Sequence, residues 1–451
     1  MKFEDLASRV DAQFKQTRSE LEALVRIPSI SADAFDQSQV RRSAELVAEY
    51  ARDRGFTVDV KQVKADNGTV GRPAVLAHRQ GKPGKPSVLL YAHHDVQPEG
   101  DRSGWLSDPF EPEERNGRLY GRGTGDDRAG VITHMAALRA LGDDLDLGVT
   151  LFIEGEEEVG SPTFRDFLNA YSDELASDVI VVADSTNWKV GTPSLTTSLR
   201  GVCSVSVTVD VLDHAVHSGS FGGPVLDAVT LMSRLIATLH NADGSVAVAG
   251  LTAYDDAAVD YPEADLRKDA GILPGVELAG TGSITSRLWT KPAIAVIGMD
   301  VTSCAASSNT IIPSCTARLS LRVAPGQDPM EAAQALIDHC VKHAPFGACA
   351  TARVLEAGPS FKAAGESDTS RIARWALEKA WNAPSVDIGG GGSIPFISDL
   401  AEKFPDAEIL VTGMEDPDTR AHSQNESLDL REFRNGILAE AALLARLDGK
   451  L

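Results

Sequence analysis

An apolar run, Ser87-Val88-Leu89-Leu90, leads at residues 91–98 into "YAHHDVQP", where His93, His94 and Asp95 follow directly on what reads as a buried strand. Such groups are costly to bury, so their place at the end of a core strand calls for a chemical reason. The same pattern recurs. The apolar run 149–153 leads into "EGEEEVGS" with Glu157 and Glu158, the run 179–183 ends at Asp184, and "AEILVTG" continues through "MEDPDTRAHS" to His422. A Gly-rich turn, "YGRGTGDDRAG", adds Asp126 and Asp127 just before a helical pattern. Ligand sites of open α/β sheets lie beyond the carboxyl ends of the strands, so these separate segments are expected to meet at one rim. Carboxylates converging there repel one another and raise one another's pKa unless a cation is present. Hard carboxylates with imidazoles, and no thiolates, suit Zn²⁺, Mn²⁺ or Co²⁺.

Taken singly, each segment has a plainer reading. "EGEEE" in isolation is a solvated acidic loop, and His422 alone is a surface histidine. The Gly-rich turn could cradle a phosphate, but two aspartates stand where the phosphate would sit and no G-K-[ST] follows. Coincidence at one rim is what favours a site. H-E-x-x-H and G-x-S-x-G are both absent.

The elements that must position these residues divide the chain. Its 451 residues exceed what one hydrophobic core usually supports. From about 86 to 186, short apolar runs alternate with helical patterns, and in "AGVITHMAALRAL" Val131, Met135, Leu138 and Leu141 form one stripe of a crossover helix. At Val202 the texture changes to the period-two alternation of "VCSVSVTVDV". A helix over 225–240, strands near 293–299 and 315–323, a helix over 329–343 and a strand near 350–356 complete a β-α-β-β-α-β order. The α/β texture then resumes, with a helix at 369–381 and a last one from about 430. The expected fold is therefore α/β, a mixed sheet flanked by helices, with an inserted ferredoxin-like α+β domain. The expected boundaries are 1–198 and 359–451 for the catalytic domain and 199–358 for the insertion. Residues 241–290 resist assignment.

Lys plus Arg number 43 against 65 Asp plus Glu, a net charge of -22 that repels nucleic acid and anionic membranes. The N-terminal 25 residues carry charges throughout, with no signal-peptide core, and no run of about 18 apolar residues occurs, so a cytoplasmic location is expected. Five cysteines without a C-x-x-C pair argue against a disulfide framework and a thiolate metal site.

In this order the segments "SVLLYAHHDVQP", "WLSDPFEPEERNGRLYGRGTGDDRAG", "IEGEEEVGSP", "VVADS", "HSGSFGG", "GGSIP" and "AHSQNES" resemble the dinuclear zinc peptidase family of carnosinase-type dipeptidases, aminoacylases, acetylornithine deacetylase and succinyl-diaminopimelate desuccinylase. The resemblance spans nearly the whole chain. It implies two divalent ions, zinc first with manganese or cobalt as alternatives, held by His93, Asp184, Glu158 and His422, with Asp126 shared between them. Three carboxylates against two divalent ions leave one positive charge, which a bridging hydroxide cancels. It makes Glu157 the general base, Asp95 the brace of the His93 imidazole and His217 an oxyanion donor from the other subunit of a homodimer formed through the inserted domain. Asn309, Arg322, Gly392 and Ser393 are implied as substrate contacts, Arg322 by its bidentate fork. His94 is expected to be structural. The loop departs from the carnosinase-like pattern, which tends to carry Arg-Glu where this chain has Gly389 and Gly390.

The reaction implied is hydrolysis of the amide bond of a dipeptide or small peptide, with N-acyl amino acid deacylation or desuccinylation as the alternative on the same scaffold. A metal-stabilised binding protein is a different class, which would have no need of Glu157.

Overall fold

The structure is a computed structural model that describes residues 1–392 and 394–451, without the Pro395 side chain. By its contacts the chain divides into two units: Met1–Thr197, Ala363–Asp387 and Asp399–Leu451 form the first, Ser198–Lys362 and Ile388–Ser398 the second. The segment 388–398, which the sequence pattern assigns to the resumed α/β domain, thus clusters with the second unit.

The first unit is built on a mixed sheet whose order runs Thr57–Lys61, Ala74–Arg79, Gly148–Glu154, Ser87–His93, Val179–Val182, Glu408–Val411, Ser194–Leu199. Four neighbouring strands in its middle are parallel: Ser87–His93 pairs in parallel with Gly148–Glu154 and Val179–Val182, and Val179–Val182 with Glu408–Val411. Val88, Leu89 and Leu90, with Val181 and Val182, are almost wholly buried, as strands covered on both faces require. The helices Phe3–Val25, Arg128–Leu141, Asp368–Trp381 and Leu430–Leu447 contribute to one continuous apolar core with these strands. Arg128–Leu141 is the expected crossover helix, capped at its start by the Asp127 side chain, which accepts from the Gly130 amide at 3.2 Å. It carries almost no exposed residue, so its expected stripe is only the innermost part of a fully covered helix.

The second unit holds an antiparallel sheet in the order Ala293–Asp300, Ser314–Val323, Gly201–Asp210, Cys349–Gly358, with the helices Ala228–Ala237 and Pro329–Lys342. Alternation along Gly201–Asp210 puts Cys203, Val205, Val207 and Val209 into the core with Leu231, Leu235 and Leu336. The unassigned stretch carries two short helices, Glu263–Asp269 and Ile284–Trp289. Among the described residues no helix is long and apolar enough to cross a membrane.

The strand ends approach one another closely where Asp184 leaves the sheet. A Cβ on Gly413 would lie 1.5 Å from the Ser185 carbonyl oxygen, a main-chain atom that cannot swing aside. Gly413→Ala is therefore expected to cost about 2 kcal/mol or more by overpacking, read as a lowered urea midpoint with unchanged slope.

Candidate metal centre

Three of the parallel strands deliver an acidic or imidazole group at or within a few residues of their carboxyl ends, while His422 follows Val411 by a longer loop and Asp126 comes from the turn before the helix Arg128–Leu141. His93, the last residue of its strand, is fully buried. Its Nε2 lies 3.1 Å from Asp126 Oδ1, and its Nδ1 lies 3.2 Å from the Asp95 carbonyl oxygen and 3.3 Å from Asp95 Oδ1. Asp126 reaches the other way as well: its Oδ2 is 2.8 Å from His422 Nε2. Glu158 Oε2 stands 3.1 Å from the same His422 nitrogen, while Glu158 Oε1 accepts from the Gln97 amide at 3.0 Å. Glu157 Oε2 and Asp184 Oδ1 each lie 3.9 Å from His93 Nε2. The five expected ligands and Glu157 are therefore one cluster, with Asp126 between its two imidazoles.

Asp95 does more than face the imidazole. Its two carboxylate oxygens accept from the Glu157 and Glu158 amides at 3.3 and 3.1 Å, tying the "EEV" turn to the His93 strand. His94 points away, with Nε2 2.8 Å from the Pro73 carbonyl, and burial lowers its pKa to about 4.

The charges show what the cluster lacks. Burial first, then the neighbouring Asp126 charge, pushes Glu158 up to about 7, and burial raises Asp184 to about 6. Burial likewise raises Glu157 well above the usual carboxylate range. His422 is pushed up to about 11 by its hydrogen bonds to Asp126 and Glu158, and for His93 the bonds to Asp126 and Asp95 outweigh the opposing effect of burial. The imidazolium protons thus serve as positive charge in direct contact with the crowded carboxylates, a place a divalent cation fills better. Ligand-capable atoms of His93, Asp127 and Asp184, and of His93, Asp126 and Glu158, lie within 4.8 Å of one another. The donor set, carboxylates with imidazoles and no thiolate, fits a metal ion.

Two contributors, Glu415 and Glu426, escape the sequence reading, and a third, Asp127, is placed at the rim by the sequence without a ligand role. Asp127 belongs to one of these groups, although its Oδ2 also accepts from the His93 amide at 3.1 Å; the doublet "GDDR" was its signal. Glu415 of "MED" is raised well above the usual range, by burial and then by the charges of Asp126 and Asp184. Glu426 accepts from Arg122 at 2.7 Å and from the amides of Gly123, Gly125 and Asp126, so it shapes the turn that presents Asp126. No local pattern marks a residue whose partners lie some 300 positions earlier.

The other described residues of the expected set lie in the second unit. His217 is exposed; its Nδ1 accepts from the Gly219 amide at 3.1 Å, which leaves the proton on Nε2. Asn309 is exposed, and its carbonyl accepts from the Ser218 amide at 2.9 Å, beside the Val216–His217 and Thr310–Ile311 pairing. Arg322 is half-buried on the strand Ser314–Val323, and Gly392 is exposed. Ser393 lies outside the described residues.

Residues 89–446 match peptidase family M20/M25/M40. The cysteinylglycine-S-conjugate dipeptidase of Corynebacterium striatum is 34% identical over 366 residues, 80% of either chain. The Cys-Gly metallodipeptidase of Schizosaccharomyces pombe is 27% identical, over 97% of this chain and 96% of its own. In fold the chain is similar to the solved structure of human carnosine dipeptidase 1, with a TM-score of 0.72 at 23% identity over 99% of this chain and all of that one.

Glu154, paired with His93 across the sheet, accepts from the Tyr91 hydroxyl at 2.6 Å, and burial pushes it up to about 8. Between its ordinary value and 8 the folded state holds a proton that the unfolded state has released, so stability falls as pH rises through that window. In chelator-treated protein Glu154→Gln is expected to flatten this fall, which amounts to at most ~1.4 kcal/mol per pH unit. Urea unfolding of both proteins at pH 5 and pH 8 measures it.

Proposed function

The chain belongs to peptidase family M20/M25/M40 and is a metal-dependent peptidase, and from that premise we propose that it hydrolyses the amide bond of dipeptides at a centre of two divalent ions, zinc in the first place, with manganese or cobalt as alternatives. The observation that supports this most is Asp126, which spans His93 and His422 and so suits a carboxylate shared by two ions. In this reading His93 and Asp184 hold one ion, and His422 and Glu158 the other. When bound, the ions lower the pKa of a water molecule and polarise the scissile carbonyl.

The chain's own residues do the rest. Glu157, at 3.9 Å from His93 Nε2, takes the proton of the attacking water and delivers it to the leaving amine. Asp95 keeps the His93 imidazole and the Glu157 turn in fixed register. His217 offers its Nε2 proton to the oxyanion as negative charge develops there. Asn309, Arg322, Gly392 and Ser393 orient the substrate, Arg322 at its terminal carboxylate. The dipeptide is favoured over an N-acyl amino acid because the similar curated chains are Cys-Gly and beta-Ala-His dipeptidases.

A homodimer through the second unit and a cytoplasmic location belong to the same proposal. All five cysteines are free thiols, in keeping with a reducing compartment.

Metal-loaded protein is expected to hydrolyse Ala-Ala or carnosine and to leave N-acetylornithine and succinyl-diaminopimelate intact; deacylation alone overturns the dipeptide assignment. Glu157→Gln should bind metal as the parent does and lose turnover by at least ~10²-fold, and unaltered turnover removes Glu157 from its role.

If the partner's His217 completes each centre, mixing His217→Ala with Glu157→Gln subunits restores part of the activity that both parents lack. Verified heterodimers that stay inactive rule out action in trans.

A further inference from the structure

Acidic side chains outnumber basic ones by 65 to 43 in this chain, yet two neighbouring arginines of the second unit pair with none of them among the described residues. Arg200 is 8% exposed. Its Nε donates to the Gly391 carbonyl at 3.1 Å, and its Nη1 to the carbonyls of Lys291 at 3.3 Å and Arg287 at 3.4 Å. Its main-chain amide donates to Gly390 at 3.2 Å. These carbonyls satisfy donors without neutralising the charge, and no described residue accepts from Nη2. Arg322 makes no hydrogen bond or ion pair with a described residue. It stands opposite Val202 in the antiparallel pair, two residues along from Arg200, a diagonal spacing of ~7–8 Å that long side chains bridge. Burial and then the Arg322 charge pull Arg200 down to about 10, with no carboxylate opposing them. Lys291, by contrast, is neutralised by Asp255 at 2.8 Å.

A buried cation is ordinarily matched by an anion, and truncating one partner of such a pair is costly. Here the match is missing beside the Gly-rich loop that Arg200 grips through both its main chain and its side chain. That loop carries no charge of its own at 389–392, and Gly389 and Gly390 are held close: a Cβ would fall 2.6 Å from Trp289 Cβ and 2.4 Å from Leu199 Cδ2.

We propose that Arg200 and Arg322 form a two-cation subsite that selects dipeptides whose carboxyl-terminal residue carries a second, side-chain carboxylate. One terminal carboxylate leaves the subsite with a net positive charge; aspartate or glutamate at that position balances it. The proposal rests on the dipeptidase reading, because the anion is taken to be part of the substrate.

The test compares Ala-Asp with its neutral isostere Ala-Asn in metal-loaded protein, alongside Ala-Ala. The wild type is expected to prefer Ala-Asp by roughly tenfold in kcat/KM, through KM, as one charge-assisted contact gives. Arg200→Gln should abolish that preference while Ala-Asn turnover persists, and Arg200→Lys should keep most of it. A wild type that treats the two alike or favours Ala-Asn overturns the proposal, as does an Arg200→Gln variant that retains the preference. A second readout keeps the two readings apart: N-acetyl-aspartate should raise the melting temperature of the full chain more than N-acetyl-asparagine, and lose that advantage in Arg200→Gln. If no dipeptide is hydrolysed but this shift and its loss are seen, the dipeptidase reading fails and the anion subsite stands; if Ala-Ala is hydrolysed and the shift is absent, the subsite fails alone.

Discussion

The fold is organised around a cost: several carboxylates and the His93 imidazole are gathered into a largely buried space at one end of a sheet, with the exposed His422 ring at its edge. Bringing like charges out of water raises the free energy of each, which is why burial stands first among the causes that raise Glu157, Glu158 and Asp184. A cation lowers that cost directly, whereas a proton on an imidazole does so only by consuming a lone pair that could act as a ligand. The same crowding that makes the folded chain expensive without metal makes it a strong site with metal.

That cost is tolerable because the scaffold beneath it is rigid. Four parallel strands, with cores of Val, Ile and Leu, fix where each strand ends, and a shift of one residue in register would exchange a core side chain for a rim one. Around the rim a layer of main-chain donors holds the carboxylates in place: the amides of residues 123, 125 and 126 on Glu426, those of 157 and 158 on Asp95, and that of His93 on Asp127. Carboxylates that accept from main-chain amides cannot drift toward one another when the charge among them changes.

What was legible in the sequence follows from this division of labour. The strands Ser87–His93, Gly148–Glu154 and Val179–Val182 announce themselves as apolar runs, and the ligand-type residues follow at once, so both the parallel core and the cluster could be read. The alternation at 202–211 likewise marks the second unit's sheet. The strand Thr57–Lys61 lacks such a run and owes its place to pairing with Ala74–Arg79, whose own apolar run Ala74–Ala77 pairs in turn with Gly148–Glu154. Glu426 and Arg122 could not be paired from sequence, because their bond is set by a fold that brings residues some 300 apart together. Segment 388–398 illustrates the same limit: its composition reads as part of the resumed domain, while its contacts lie with the other unit.

Two histidines to which the proposed mechanism gives tasks show how neighbours bear on ring protonation. A ring that is to bind a metal through Nε2 needs a lone pair there, so its proton belongs on Nδ1 and needs an acceptor. His93 has one, with the carbonyl oxygen and carboxylate of Asp95 at 3.2 and 3.3 Å. A ring that is to stabilise an oxyanion needs the reverse, a proton on Nε2, so its Nδ1 must accept. His217 meets that demand through the Gly219 amide, a donor that cannot change its role with pH. With an ion in place of the Nε2 proton that His93 shares with Asp126, the same side chain would hold opposite tautomers in the two places. Each is favoured by a residue two positions downstream, Asp95 as acceptor and Gly219 as donor. An i to i+2 contact is built into the local chain path, so each preference is set locally, within its own unit.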